Sequence, residues 1–214
     1  MRSTAKVADK KREILLAASR VFRAKGLHGA GMRDIAGELG MTVGNLYYYF
    51  ENKHELLAFC QEDALDGLRA LAARVRALPE RSDTKLYRLI VGHVELLNES
   101  TPGSLAHLEV EALEGAFRTA ALAGRDEYER AVQSLVEEGM AARLLRPCDA
   151  KVAAFALLGA LNWTVKWFRP EGSKSASKIG EEFAELLVRG LLAPGIALAP
   201  PKYRITPNPA QETL

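Results

Sequence analysis

Between Thr42 and Lys53 the chain sets a hydroxyl, an amide, three consecutive phenols and an ammonium close together: Thr42, Asn45, Tyr47, Tyr48, Tyr49 and Lys53. None of these groups is a strong acid or nucleophile at neutral pH. Together they are donors and acceptors suited to a polar polyanion. An asparagine amide can pair with a base edge in the major groove, while phenols and an ammonium donate to phosphate oxygens. Gly44 lets backbone approach closely. Tyrosine freezes only two side-chain torsions, so its contacts cost little entropy. The competing reading of a tyrosine run is a wet-tipped core or a protein interface.

Catalytic chemistry has no comparable constellation. No nucleophile elbow, phosphate loop or carboxylate pair is present. His93 and His107 sit in apolar stretches with Leu89, Ile90, Leu96, Leu97, Leu105 and Leu108. Each reads either as a satisfied core histidine or as a ligand contact. With Glu95 and Glu109 they make no metal-binding pattern, and no cofactor is implied. Cys60 and Cys148 match no metal or redox spacing, which predicts a reducing, cytoplasmic location. The basic N-terminus leads into no apolar run, so no signal peptide is expected. The most apolar run, Val152 to Leu161, is too short to span a bilayer.

The elements that must position these groups are all helical. Strand-like alternation is absent, and Gly or Pro punctuates segments of helical period. Ile14, Ala18, Val21, Phe22 and Lys25 trace a stripe on a helix from Val7 to Lys25, with Gly26 as its stop. A second helix covers Met32–Leu39, with Gly31 as N-cap and Asp34 reaching back in half a capping box. Gly40 breaks it, and Thr42 caps a third helix, Val43–Phe50. On a helical wheel Leu46, Phe50 and Val43 face inward, while Gly44, Asn45 and Tyr48 face out with Tyr47 and Tyr49 flanking. A long helix, Lys53–Leu78, stops at Pro79. Further helices are expected at 83–99, 103–117, 122–142, 149–168 and 176–192, followed by a Pro-rich tail.

Charge separates along the chain. Residues 1–53 hold ten Lys/Arg against five Asp/Glu, a balance of +5, so the remainder carries −3 of the total +2. Residues 95–138 carry ten acidic and three basic residues. A basic front end on a near-neutral body points to a phosphate-rich partner, or else to a solvated helix face.

Residues 9–58 resemble the N-terminal domain of the TetR family of bacterial transcriptional regulators. The likeness is carried by Phe22, Gly26, Arg33-Asp34-Ile35-Ala36, Gly40, Gly44, Leu46-Tyr47, Phe50, Lys53 and Glu55-Leu56. It implies an all-α chain with a three-helix, helix-turn-helix DNA-binding head (1–52), a helical effector-binding and dimerisation body (53–193) and a Pro-rich tail (194–214). By the resemblance, phosphate contacts fall on Tyr47, Tyr49, Lys53 and the helix start near Met32 and Arg33. Thr42, Val43, Gly44 and Asn45 face bases, and Tyr48 also points toward DNA. Two departures stand out. Gly31 replaces the usual threonine, and Tyr49 stands where histidine is commonest. The third helix holds no Arg or Lys, so bidentate guanine readout could come only from Arg33.

The segment "NWTVKWFRPEG", 162–172, is similar to the end of the eighth helix in TetR members that sense acyl-CoA thioesters. That resemblance implies an apolar tunnel lined by Phe117, Trp163 and their neighbours. Lys166 and Arg169 would meet the coenzyme A phosphates, with Trp167 beside the adenine. Independently of that resemblance, His93 on its apolar stretch is a further candidate effector contact. Trp163, Trp167 and Phe168 could instead fill an interface between copies. Phe155 and Leu158 in 149–168, and Phe183, Leu187 and Leu191 in 176–192, are candidates for a four-helix homodimer interface. The expected function is a repressor released from a palindromic, double-stranded operator by a small apolar effector, with no membrane partner. The alternatives are a helical enzyme and a ligand-binding scaffold without DNA binding.

Overall fold

The computed structural model describes residues 2–100 and 110–201. Its helices are α1 (Arg2–Gly29), α2 (Met32–Glu38), α3 (Val43–Tyr47), α4 (Lys53–Ala77), α5 (Ser82–Glu95), α6 (Gly115–Ala141), α7 (Ala150–Trp167) and α8 (Ala176–Leu191). A π-turn, Leu96–Ser100, continues α5, and a 3₁₀ turn, Val110–Ala112, precedes α6. The one extended pairing among the described residues is an isolated bridge between Leu145 and Leu192. No helix of the described chain is long and apolar enough to cross a membrane.

Several boundaries differ from expectation. The first helix starts at Arg2 rather than Val7; it is interrupted where expected, at Gly26, whose backbone (φ 73°, ψ 162°) is not helical, and a short further turn reaches Gly29. The third closes at Tyr47 rather than Phe50, its exit tightened where Tyr49 and Phe50 both donate to the Leu46 carbonyl (3.0 and 3.1 Å). The segment expected to be one helix over 83–99 changes at Leu96 to the wider π geometry. The helix expected from residue 122 begins at Gly115, since the alanine-rich stretch after it is a strong helix former. Of the helix expected at 103–117, residues 103–109 lie outside the described chain.

The chain packs as two units. The first runs from the N-terminus to Leu65 and takes in the described part of 101–123. Its core joins Ile14, Leu15, Ala18 and Phe22 of α1 to Ile35 and Ala36 of α2, Leu46 and Phe50. Leu56, Leu57 and Cys60 of α4 complete it with Val110, Leu113 and Ala121. A head ending at residue 52 would lack that wall, so its packing unit extends beyond the expected boundary.

The second unit comprises 66–100 and 124 onward. There α8 lies against α5 on a small-residue face, Gly180, Ala184 and Val188. A Cβ on Gly180 would stand 3.0 Å from the Val91 Cα, so the two backbones cross almost in contact. Past α8 the chain is held by Thr84, whose hydroxyl donates to the Ala199 carbonyl (2.8 Å), and Leu198 is buried. The rest of the expected tail, 202–214, is outside the described residues.

Candidate functional site

In the head, Gly40 (φ 63°) makes the reversal between α2 and α3, and Met41 N–H donates to the Ala36 carbonyl at 3.0 Å. The Thr42 hydroxyl accepts from the Asn45 N–H (3.2 Å) and caps α3. Asp34 accepts from the Gly31 N–H (2.8 Å) and from Lys25 (2.5 Å). The Lys25 bond, then the Gly31 bond, holds its carboxyl below the usual range. Arg20 pairs with Glu38 (2.6 Å), a second tie between α1 and α2.

Leu46 and Phe50 are the buried anchors of this small helix pair. Anchoring them turns Thr42, Gly44, Asn45, Tyr47 and Tyr48 outward together, with Tyr48 78% exposed. Val43 and Tyr49 are half-buried against the core, so both present less surface than the family resemblance implies. The Tyr49 ring meets Tyr48 edge to face, with centroids 5.1 Å apart. Arg33 is exposed, and among the described residues no carboxylate pairs with it. Met32 is buried, so only its backbone can serve a phosphate. Lys53 is half-buried, and its ammonium donates to the Leu27 carbonyl. The basic front end is partly neutralised within the protein: besides Arg20 and Lys25, Lys10 pairs with Glu13 at 2.7 Å.

The body separates the residues assigned to an effector. His93 is fully buried, with both ring nitrogens engaged: Nδ1 lies 3.0 Å from the Tyr128 hydroxyl and Nε2 3.2 Å from Asn162 Oδ1. Asn162 Oδ1 can only accept, so Nε2 carries the proton and Nδ1 accepts from Tyr128. Burial lowers the His93 pKa to about 4 and pushes the Tyr128 phenol up. His93 is thus the satisfied core histidine rather than a group facing an effector.

The two aromatic side chains expected to line a tunnel are both exposed: Phe117 (43%) in the first unit and Trp163 (62%) in the second. Packing of Ala153, Ala154, Leu157, Leu161, Thr164 and Val165 turns the indole outward. A surface groove of about 330 Å³ lies instead beside Trp167 and Arg169, with Lys174, Glu182 and Phe183 among its walls. Trp167 stacks on Phe183 at 6.4 Å. Lys174 pairs there with Glu182 (2.6 Å). Lys166 is exposed on the last turn of α7.

Among the candidate interface residues, Phe155 is exposed on α7 with Leu158 half-buried, and Phe183 and Leu187 are half-buried on α8. Leu191 is buried in the chain's own packing, which removes it from an outward face. Leu186 takes its place, 73% exposed. Sequence reasoning missed Tyr128, Asn162, Asn98 and Thr164. Asn98 donates to the Val94 carbonyl (2.9 Å) and to the Thr164 hydroxyl (2.8 Å), holding the π-turn against α7. Asn162 and Thr164 are polar interruptions in an apolar run, the signal that could have found them.

Comparison with known proteins agrees with this geometry. Residues 14–59 match the bacterial regulatory proteins of the tetR family, and residues 79–191 match the tetracyclin repressor-like C-terminal domain. The HTH-type transcriptional repressor KstR2 of Mycolicibacterium smegmatis is 23% identical over 187 residues, 86% of this chain and 91% of its own length. The TetR family regulator PfmR of Thermus thermophilus is 29% identical with a TM-score of 0.77, covering 84% of this chain and 99% of that one. AibR, solved in complex with isovaleryl coenzyme A and operator DNA, is 26% identical with a TM-score of 0.73, covering 85% and 97%. An outward helix-turn-helix face on an all-helical chain and matches over both segments lead to one conclusion: the chain belongs to the TetR family of bacterial transcription regulators, which are not enzymes.

Proposed function

We propose that the protein is a repressor that binds a palindromic operator as a homodimer and leaves it when a small effector occupies the body, with acyl-CoA thioesters as the effector class. The observation that carries the DNA reading is the joint exposure of Thr42, Gly44, Asn45, Tyr47 and Tyr48 over the buried Leu46 and Phe50. That face has the donors of a groove reader and no catalytic group. Two-fold symmetry would set two such faces about 34–36 Å apart, one turn of duplex.

The effector class rests on the groove where Trp167, Arg169, Lys174 and Phe183 meet. A stacked aromatic pair beside Arg169 suits an adenine and its phosphates, with Lys174 held at the same groove by Glu182. Release requires only that the effector favour the unbound form, with a coupling of about 1–3 kcal/mol. Helix α4 contributes residues to both packing units and is the element through which such a bias would pass.

The test is a salt-dependent gel shift on the DNA upstream of the protein's own gene, with and without an acyl-CoA. The expected result is a complex weakened by salt and dissolved by the thioester. A complex with no salt dependence, or none at all, would remove the operator reading. A stable complex indifferent to acyl-CoA would remove only the effector class.

A further inference from the structure

We propose that Asn162 is the hydrogen-bond donor that recognises the effector's carbonyl oxygen, held in place by His93 and Tyr128, and that the effector lies along one stripe of α7. This inference rests on the acyl-thioester reading of the body.

The Asn162 amide is fixed at one end only. Its Oδ1 accepts from His93 Nε2, and His93 Nδ1 accepts from the Tyr128 hydroxyl. The two supporting side chains are buried, so the orientation of the amide is set from within the core. Its Nδ2 has two donors, and among the described residues it bonds to no carbonyl or side chain. Asn162 is half-buried, so those donors are within reach of solvent or a ligand. Burying a polar chain of this kind costs desolvation that its hydrogen bonds only offset, and an apolar core would be cheaper. An outward amide supported by a fixed inner chain is how a binding group is preorganised.

The residues on either side give the ligand its polarity. At helical spacing, Phe155, Gly159, Asn162 and Lys166 share a stripe. Phe155 is 51% exposed, and a Cβ on Gly159 would meet nothing within 4 Å. Gly159 therefore leaves a shallow gap in mid-helix, where alanine would be the better helix former and no packing among the described residues demands glycine. Phe155 stands about 10 Å from Asn162 along the axis, and Lys166 about 6 Å beyond it. Arg169 follows just past the helix end. An apolar chain over Phe155 and Gly159, a carbonyl on Asn162 and an anionic group toward Lys166 and Arg169 describes an acyl thioester of an anionic carrier. Apolar ligands without a carbonyl would leave the Asn162 donors unmet.

The test compares octanoyl-coenzyme A with its S-octyl thioether, which lacks the carbonyl oxygen, by calorimetry on the full chain. Wild type is expected to bind the thioester at least ten-fold tighter than the thioether. Asn162→Leu should bind both alike, near the thioether's affinity, with dimer content and operator binding unchanged. Tyr128→Phe keeps the ring and should narrow the thioester preference while thioether affinity holds, a change that a merely structural role would not produce. Equal wild-type binding of the two probes, or a preference that survives Asn162→Leu, overturns the assignment and leaves the effector class standing. Loss of self-association in Asn162→Leu would also overturn it, by giving the amide to a second copy. Wild type that binds neither probe removes the thioester class and this assignment with it.

Discussion

The Lys53 ammonium donates to the main-chain carbonyl of Leu27, tying the first residue of α4 to the last turn of α1. An ammonium has three N–H donors, so this bond leaves two for a phosphate. Lys53 can therefore position the head and contact DNA at once. Lys53→Ala is expected to weaken binding to operator and random DNA equally and to lower the salt slope by about one unit. Thermal stability should fall by about 1 kcal/mol from the lost tie. Unequal losses on the two DNAs would show that Lys53 takes part in base readout.

Asn45 makes the opposite prediction. Its side chain is exposed, while its backbone N–H is already engaged by the Thr42 cap. Asn45→Ala removes the amide without disturbing that cap. The gap between operator and random-DNA affinity should shrink by about 1–3 kcal/mol, with the salt slope unchanged. A uniform loss on both duplexes, measured by anisotropy titration, would take Asn45 out of the specificity set.

Close crossing of α5 and α8 can be tested through Gly180. Alanine there gains helix propensity worth about 1 kcal/mol. The added Cβ presses on the Val91 backbone at 3.0–3.1 Å, which cannot swing aside as a side chain could. Overpacking of this kind costs about 1–3 kcal/mol, so Gly180→Ala should be net destabilising. Gly37→Ala, where nothing lies within 4 Å, should be net stabilising. Thermal unfolding that ranked Gly180→Ala above wild type would mean the helices are not in backbone contact.

The head is more legible in the sequence than the body, for a physical reason. Leu46 within a very short helix and Phe50 just past its end are its large buried anchors, so their burial fixes which residues face out, and a wheel recovers Gly44, Asn45 and Tyr48 directly. The wheel also places Val43 inward, against the family-based expectation, and Val43 is half-buried. In the body, α7 is apolar on nearly every side, and hydrophobicity cannot say which side is inner. That ambiguity makes Trp163 read as a pocket wall. The choice is made by small residues: Ala153, Ala154 and Thr164 allow close packing, and the large ring is left outside. On α8 the same logic buries Gly180, Ala184 and Val188 and exposes Leu186. The His93–Tyr128–Asn162 chain joins residues from three helices, a relation that local periodicity does not carry.

The exposed apolar side chains of α7 and α8 supply a prediction about assembly. Trp163 and Leu186 are largely uncovered in the single chain, and large exposed apolar groups of this kind mark association surfaces. Trp163→Glu combined with Leu186→Lys should convert a dimer to a monomer in sedimentation velocity, with helix content by circular dichroism retained. Operator affinity should fall with it, because one head reads only a half-site. A double variant that sediments as wild type would exclude these two side chains from the interface.

The buried histidine makes stability depend on pH with a definite sign. Burial lowers the His93 pKa to about 4, while the unfolded chain titrates near the ordinary value of about 6.5. Between those values the unfolded chain binds the proton and the native chain does not. The contribution of neutral His93 is therefore complete above about pH 6.5, declines as pH falls and levels off below about 4. From pH 6.5 to 5 the loss should be between about 1 and 2 kcal/mol, because the limiting slope of about 1.4 kcal/mol per pH unit is reached only below about pH 6. Carboxylates such as Asp34, Glu80 and Glu182, each held low by a basic partner, also lose stability in acid. They do so equally in wild type and in His93→Gln, so the difference between the two urea-unfolding profiles isolates His93. His93→Gln should be less stable at pH 7 and flatter between pH 6.5 and 5. Parallel profiles would mean that His93 keeps an ordinary pKa and reaches water in the native protein.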